Sequence, residues 1–320
     1  MSPKIYNKPF LDENQLLAFL KNKSLPISNE DYAKKILKDI TYYRFKIYAH
    51  PFKNSTTKQF DGSKSFEDIE SLYRFDDRLR DLLFSIIGRV EIKLRSKLNY
   101  TITKFTNNPY WYLDSNLFVD DEKHNHLELL KKVKSDFMKA EEEFIEYYKS
   151  NYINDYSTTY ENDFTKLPPF WIVSEIMMFG DIKSIYESLN KSQFQNKPKN
   201  ELDKLANEFG AMSLAELNTW LVYIKLIRNR CAHHSRVWNT NYFSVPKLTQ
   251  AKFSRLTISP SNSNRIYSFI VVLNLIVNKL DLNIDLRNEI ESLMTEYPIF
   301  NEMKGSAGFP DNWIDDPFWN

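Results

Sequence analysis

The sequence is poor in the residues that build disulfide-linked or membrane-spanning proteins. The 320-residue chain has one cysteine, Cys231, so no disulfide can form within it, and no Cys or His pairs have structural-zinc spacing. Its longest apolar run, FIVVLNLIV at 269–277, is too short to cross a bilayer, and its first residues, MSPKIYNKPFLDENQ, lack the apolar core of a secretion signal. We therefore expect a cytoplasmic protein outside the membrane, without a metal or cofactor.

Glycine is also scarce, with six residues in the chain, and the alternating pattern of strands is rare. Apolar residues instead recur at helical spacing, most clearly in a long segment that begins with a predicted capping box of Ser65 and Asp68 and continues to Tyr100. Further helices are predicted at 12–23, 28–49, 122–149, 170–189 and 286–297.

These elements predict an all-α protein, a helical bundle. An N-terminal helical region, 1–64, is expected to pack on a larger helical domain, 65–320, although the two could form one continuous domain. The chain ends in an extended aromatic tail, GFPDNWIDDPFWN. Its phenylalanine and tryptophan side chains are expected to dock on the body, because so many exposed aromatic residues would promote aggregation.

Acidic residues are absent from a long segment late in the chain. Between Leu217 and Leu280 there is no Asp or Glu, whereas nine basic residues occur there: Lys225, Arg228, Arg230, Arg236, Lys247, Lys252, Arg255, Arg265 and Lys279. Such a segment in a nearly neutral protein, of net charge +1, favours a surface that faces a polyanion. The alternative is that acids from elsewhere in the fold neutralise it.

The most unusual part of this segment is LIRNRCAHHSRVWN, at 226–239, which holds three arginines and two adjacent histidines. Ser213 and Glu216 have the spacing of a second capping box, so a helix is predicted to begin there and to reach about His234 or Arg236. Basic residues also complement the dipole of a helix C-terminus, which is worth roughly 0.3 to 1 kcal/mol each. The cluster could therefore merely end a helix.

Angular positions on that helix distinguish the basic residues from one another. Four apolar residues share one stripe: Leu217, Leu221, Ile224 and Cys231. Arg228 lies on the same stripe, and an arginine there needs an acid, a bound anion or a wet interface. Asn229, His233 and Arg236 lie together on the flank. Arg228 and His233 point apart, so two copies crossing at a dimer interface would bring both to one phosphate more easily than one copy.

Other residues near the motif have two interpretations. Arg44 and His50 in YRFKIYAH repeat the Arg-to-His spacing, which we interpret as coincidental or structural. Cys231 could be a nucleophile, or a zinc ligand with the two histidines, but its place on the apolar stripe favours a small core residue. Aromatic residues could stack on unpaired bases, although packing is the commoner role: Tyr42, Tyr43, Tyr48, Trp111 and Trp238.

The stretch RNRCAHH resembles the signature of the HEPN superfamily, an arginine and a polar residue followed after four to six positions by a histidine. Five segments resemble, in order, the blocks of Abi-like abortive-infection proteins of the AbiD/AbiF type: ITYYRFKIYAHPF, LYRFDDRLRDLLFSIIGRVEIKLRSKLNY, LPPFWIVSEIMMFGDIKSIYESL, RNRCAHHSRVWN and GFPDNWIDDPFW. They span nearly the whole chain, which makes this resemblance more specific than the short motif.

The resemblance implies an anti-phage effector with a HEPN-like core, acting on RNA as a homodimer or higher homo-oligomer. Arg228 would stabilise the charged transition state, and His233 or His234 would act as general base or acid, with Asn229 as the polar residue of the motif. It also implies restraint by a small structured non-coding RNA, as in a toxin–antitoxin pair.

The residue types agree with a metal-independent endoribonuclease. RNA supplies its own 2′-OH nucleophile, histidine can move its proton, and arginine can bind the phosphorane oxygens, leaving 2′,3′-cyclic phosphate and 5′-OH ends. The expected RNA-binding residues are Lys225, Arg230, Arg236, Arg44, Lys247, Lys252 and Arg255. The alternatives are a non-catalytic RNA-binding protein that holds a non-coding RNA, and a structural adaptor in which Arg228 pairs with a buried acid.

Overall fold

The computed structural model describes residues 5–119, 121–160, 163–243 and 263–319. Within these ranges the chain is all-α, and its only β pairings are two isolated bridges, which confirms the predicted class. The described helices are α1 (Glu13–Asn22), α2 (Glu30–Ile40), α3 (Tyr42–Ala49), α4 (Phe66–Thr106), α5 (His126–Lys139), α6 (Glu143–Asn151), α7 (Phe170–Ile176), α8 (Phe179–Ser188), α9 (Glu201–Glu208), α10 (Leu214–Ala232), α11 (Ile266–Lys279), α12 (Leu286–Glu296) and α13 (Ile299–Met303).

The long helix α4 is the centre of the bundle. Its predicted capping box is present: the Ser65 hydroxyl accepts the Asp68 N–H, and the Asp68 carboxylate accepts the Ser65 N–H. The helix runs six residues beyond the predicted end at Tyr100, and α3, α7 to α11, α12 and α13 all pack on it. Buried apolar residues recur along its whole length, so α4 fixes where the other helices lie.

Three of the predicted helices are each divided in two. Segment 28–49 breaks at Thr41, whose φ of 61° lies outside the helical region. Segment 122–149 breaks at extended residues between α5 and α6, and segment 170–189 breaks at extended residues between α7 and α8. No glycine or proline marks any of these breaks. They let the shorter helices turn and bury their apolar faces against neighbours, which a sequence pattern does not reveal.

The aromatic tail docks on the body as predicted. Phe309, Trp313 and Trp319 are buried, and their rings join a chain of edge and tilted contacts with Tyr267 of α11 and Phe300 of α13. The Phe300 ring in turn stacks on Phe75 of α4 and meets Trp238 edge-on. The tail is therefore part of the core, and it connects the last helices to the centre of the bundle.

The N-terminal helices α1 to α3 contribute to the same buried apolar cluster as the rest of the described chain. The proposed boundary between residues 64 and 65 stays a prediction. None of the helices in the described ranges combines the length and the apolar character that a bilayer crossing requires.

Candidate functional site

Helix α10 carries the motif and ends earlier than predicted. The Ser213 hydroxyl accepts the Glu216 N–H, but the Glu216 carboxylate accepts the Met212 N–H, so the second capping box is incomplete. At the other end Ala232 is the last helical residue. The prediction that the helix reaches His234 or Arg236 was wrong.

The end of α10 is a Schellman motif centred on His234. The Ser235 N–H donates to the Arg230 carbonyl at 2.8 Å, and the His234 N–H donates to the Cys231 carbonyl at 3.0 Å. His234 itself has a φ of 51°, the left-handed conformation that glycine usually supplies at this position. Because the chain turns here, Arg236 does not share a helical flank with Asn229 and His233. Both histidine side chains are exposed.

Arg228, predicted on the apolar stripe of α10, is less buried than the other residues of that stripe. The stripe residues Leu217, Leu221 and Ile224 are fully buried, and Arg228 emerges half-buried at its edge. Its guanidinium carbon lies 5.6 Å from the centroid of the exposed Phe84 ring on α4. The Arg228 Nε is buried without a hydrogen-bond partner, and the described residues offer it no ion pair.

Four further arginines surround the end of α10, and we call them the arginine cluster. Each donates to a backbone carbonyl: Arg44 to His234 at 2.7 Å, Arg230 to Arg236 at 3.2 Å, Arg236 to Ile47 at 3.0 Å, and Arg265 to Asn239. Among the residues that the structure describes, none of the four has a carboxylate partner. Carbonyl oxygens orient these guanidinium groups without neutralising them, so their charge stays available to an anion.

Burial and like charge act together inside the cluster. Burial lowers the pKa of Arg236, the nearby Arg230 and Arg265 guanidinium groups lower it further, and Tyr48 and Asp76 oppose the shift. Arginine nevertheless stays protonated in proteins. The three neighbouring guanidinium groups therefore concentrate positive charge at this point. The Arg230 guanidinium also stacks over the Tyr242 ring, 5.7 Å from its centroid.

A buried carboxylate that the sequence reasoning missed anchors the loop after the motif. Asp76 of α4 accepts the Tyr48 hydroxyl at 2.6 Å, the Arg80 guanidinium at 2.6 Å, and the N–H groups of Val237 and Trp238 at 3.2 and 2.8 Å. Burial raises the pKa of the Asp76 carboxyl, and the Arg80 charge and these donors oppose that shift. The group links α3, α4 and the loop, and we call it the Asp76 clamp.

A signal for this clamp was present in the sequence. Asp76 lies at helical spacing from the buried Leu72, Leu79 and Leu83, so a carboxylate on this stripe needed a partner. Arg80, four residues later, supplies one. Asp76 is thus paired with Arg80, and Arg228 has no carboxylate partner among the described residues, so the contact proposed for the structural adaptor is not found there.

Three of the five aromatic residues with two interpretations are packing residues, whereas Tyr43 is 76% exposed and Tyr42 is partly buried. Tyr48, Trp111 and Trp238 are fully buried, so their rings are closed to bases. Cys231 is also buried, and burial raises the pKa of its thiol to about 12, which suits a small core residue. In the described part of the chain no group of His, Cys, Asp and Glu could hold a metal ion.

The remaining predicted residues lie at different distances from the motif. The Lys225 side chain of α10 lies against Gly180 of α8. A Cβ added at Gly180 would be 3.1 Å from the Lys225 Nζ. Arg44 reaches the motif, whereas His50, its partner in the second Arg-to-His match, lies at the opposite end of α3. Three predicted RNA-binding residues lie outside the described residues: Lys247, Lys252 and Arg255.

The described chain is an all-α protein whose motif helix ends in arginines and two exposed histidines. Comparison with known families then identifies the family to which it belongs. The chain belongs to the Abi-like protein family, whose model matches residues 35–239. The matched range includes α3, the Asp76 clamp and the motif, and it ends in the loop that the clamp holds. No curated protein and no solved structure matches the chain. Membership of this family indicates a role in abortive infection.

Proposed function

We propose that the protein is an abortive-infection effector of the HEPN type that cleaves RNA without a metal ion. The arginine cluster carries this proposal: guanidinium groups held at backbone carbonyls, without carboxylate partners among the described residues, suit a phosphate backbone. The exposed His233 and His234 stand at the same helix end. Arginine and histidine together supply what cleavage through the 2′-OH needs.

In this proposal Arg228 contacts the phosphorane oxygens and a histidine takes the proton of the 2′-OH. Arg228 is half-buried and has no carboxylate partner among the described residues, so its guanidinium charge remains available to a phosphate. The backbone carbonyl of Asn229, the polar residue of the motif, accepts the His233 N–H at 3.0 Å. This hydrogen bond helps to hold the backbone of His233 at the helix end. His234 keeps a strained left-handed backbone where glycine would fit better, which supports a use for its side chain.

A homodimer is the arrangement that best supports a complete site. Large apolar side chains are exposed on the motif helix and on the elements packed against it: Phe84 and Ile92 on α4, Val222 and Leu226 on α10, and Met178 before α8. These elements are neighbours, since α10 packs on both α4 and α8. A second copy on this face would cover the apolar side chains and bring its own Arg228 and His233 to the same phosphate.

The second candidate is a non-catalytic protein that holds a structured non-coding RNA. It is favoured by the same arginine cluster, since phosphate binding needs the arginines and not the histidines. A cognate small RNA bound there could also restrain the ribonuclease, so the two candidates share one surface and differ in chemistry.

The test is a cleavage assay with RNA-free protein, a mixed RNA substrate and EDTA, in which the new ends are identified. Wild type is expected to produce 2′,3′-cyclic phosphate and 5′-OH ends. Arg228→Ala and His233→Ala should each reduce the rate by at least about a hundredfold, the scale of general acid–base and oxyanion contributions. The matched control is Lys93→Ala, an exposed residue on α4 that the motif does not touch.

Two results would count against the ribonuclease. If wild type does not cleave but binds a small RNA tightly with a steep salt dependence, the RNA-binding candidate replaces it. If cleavage disappears in EDTA and returns with Mg²⁺, the metal-independent mechanism is wrong. A His234→Ala variant assayed in parallel identifies which of the two histidines moves the proton.

A further inference from the structure

A large groove lies between the first three helices and the turn that follows them. It has a volume of about 1300 Å³, and it is bounded by the segment before α1, by α1 to α3 and by residues 53–58. Ligand pockets for small molecules usually measure roughly 300 to 1,000 Å³. This groove therefore has room for a ligand larger than one small molecule.

The walls of the groove carry a strong excess of positive charge. Six lysines line it: Lys8, Lys23, Lys38, Lys46, Lys53 and Lys58. Two carboxylates oppose them, and one of these, Asp12, is already occupied in capping α1. None of the six lysines forms an ion pair with a described residue.

Three of these lysines lie close enough to affect one another. Burial lowers the pKa of Lys53, and the nearby positive charges of Lys46 and Lys23 lower it further. Their mutual repulsion raises the free energy of the folded protein when no anion is bound. An anion placed between them would relieve that repulsion.

Aromatic side chains line the same groove. They are Tyr6, Phe10, Phe19 and Tyr42. Phe19 and Tyr42 meet edge to face with ring centroids 5.8 Å apart, whereas Phe10 is 89% exposed and Tyr6 is 81% exposed. Rings interleaved with lysines are the combination that binds single-stranded nucleic acid, because bases stack on the rings and phosphates meet the cations.

We propose that this groove binds a short segment of single-stranded RNA. In taking RNA as the ligand the proposal rests on the function proposed above, but the groove is a separate surface from the motif. The size favours a strand over a mononucleotide, the lysines match a phosphate backbone, and the rings require unpaired bases.

The groove and the motif lie on opposite sides of α3. Tyr42, Lys46 and His50 recur every four residues and line the groove. Arg44, two residues from Tyr42, points the other way and bonds to the His234 carbonyl. A strand in the groove would therefore touch the same short helix that supports the end of α10.

The experiment measures the affinity of a single-stranded 2′-O-methyl RNA decamer, which lacks the 2′-OH nucleophile and cannot be cleaved. Fluorescence anisotropy is recorded over a range of salt concentrations for wild type and two triple variants. Lys23→Gln, Lys46→Gln and Lys53→Gln remove three charges from the groove. Lys35→Gln, Lys93→Gln and Lys139→Gln remove three from exposed positions outside it.

The groove variant is expected to bind the decamer roughly tenfold more weakly. The slope of log affinity against log salt concentration should be less steep by about 2, because each phosphate contact of a single strand contributes ~0.7 to the slope and three are lost. The outside variant should match wild type, and Tyr42→Ala should weaken binding with the slope unchanged. Circular dichroism melting checks that each variant is folded.

Three results would overturn the inference. The first is equal affinity of the groove variant and the outside variant for the decamer. The second is competition by inorganic phosphate or a mononucleotide as effective as that of unlabelled decamer. The third is binding of a ten-base-pair duplex as tight as that of the single strand. If the groove variant keeps its affinity and Arg228→Ala with Arg230→Ala loses it, the groove assignment fails while the proposed function stands. If neither the groove variant nor the Arg228→Ala and Arg230→Ala variant changes the affinity, both the groove proposal and the RNA-binding role proposed for the motif fail.

Discussion

Asp76 is the residue on which the position of the motif loop depends most. Its carboxylate is fully buried and receives a tyrosine hydroxyl, a guanidinium and two backbone N–H groups from three parts of the chain. Removing it would leave Arg80, itself 2% exposed, with the half-exposed Asp77 as its remaining carboxylate partner among the described residues. The clamp is therefore both a stabilising group and the support of the loop beside the arginine cluster.

We expect Asp76→Ala to lower the free energy of unfolding by about 3 to 5 kcal/mol, the usual loss on breaking a buried pair. Asp77→Ala is the matched control, because Asp77 bonds to the same guanidinium but its side chain is 46% exposed, so the loss should be about 1 kcal/mol or less. Urea unfolding of both variants measures the difference. Equal losses would show that Arg80, and not Asp76, is the important partner.

His234 gives a second residue-scale prediction. Its left-handed backbone costs a non-glycine residue roughly 1 kcal/mol, so His234→Gly should raise the free energy of unfolding by about that amount. His233→Gly, at a residue with φ of −92°, should lower it instead. Thermal unfolding by circular dichroism compares the two. A destabilised His234→Gly protein would mean that the side chain makes stabilising contacts.

At the scale of elements, some features follow from sequence and others depend on packing. The stripe on α10 correctly predicted a buried Cys231, because angular position is a local property, and it placed Arg228 on the stripe, where the structure leaves this residue half-buried. The end of α10 was mispredicted because a histidine, and not a glycine, occupies the left-handed position. The helix breaks were missed because contacts with other helices fix them. The Asp76 clamp could have been found by applying to α4 the reasoning used for Arg228.

The break between α2 and α3 can be tested at Thr41. Its hydroxyl accepts the Arg44 N–H at 3.5 Å and caps α3, while its positive φ interrupts the helix. Thr41→Ala should therefore lower the free energy of unfolding by about 0.5 to 2 kcal/mol, the usual loss of an N-cap. If 28–49 were one continuous helix, alanine would stabilise it through its higher helix propensity. Urea unfolding distinguishes the two signs.

At the scale of the whole molecule, the aromatic tail connects distant parts of the chain. Contacts pass from Trp313 through Phe309 and Phe300 to Trp238, in the loop that the Asp76 clamp holds. The motif loop is thus held from two sides, by a carboxylate on α4 and by rings from the end of the described chain.

We expect Trp313→Ala to lower the free energy of unfolding by about 3 to 5 kcal/mol, since it removes a buried indole from this cluster. Asp315→Ala, at an exposed position in the same tail, should stay within about 0.5 kcal/mol of wild type. Urea unfolding followed by circular dichroism avoids any effect of the lost fluorophore. A Trp313→Ala protein as stable as the control would mean that the tail is not part of the core.

The docking of the tail also has a consequence for synthesis on the ribosome. Phe75 is made early and Trp319 late, yet both belong to connected aromatic contacts around α4. The nascent chain cannot complete these contacts until translation has passed Trp319, so α4 must wait with part of its apolar surface uncovered.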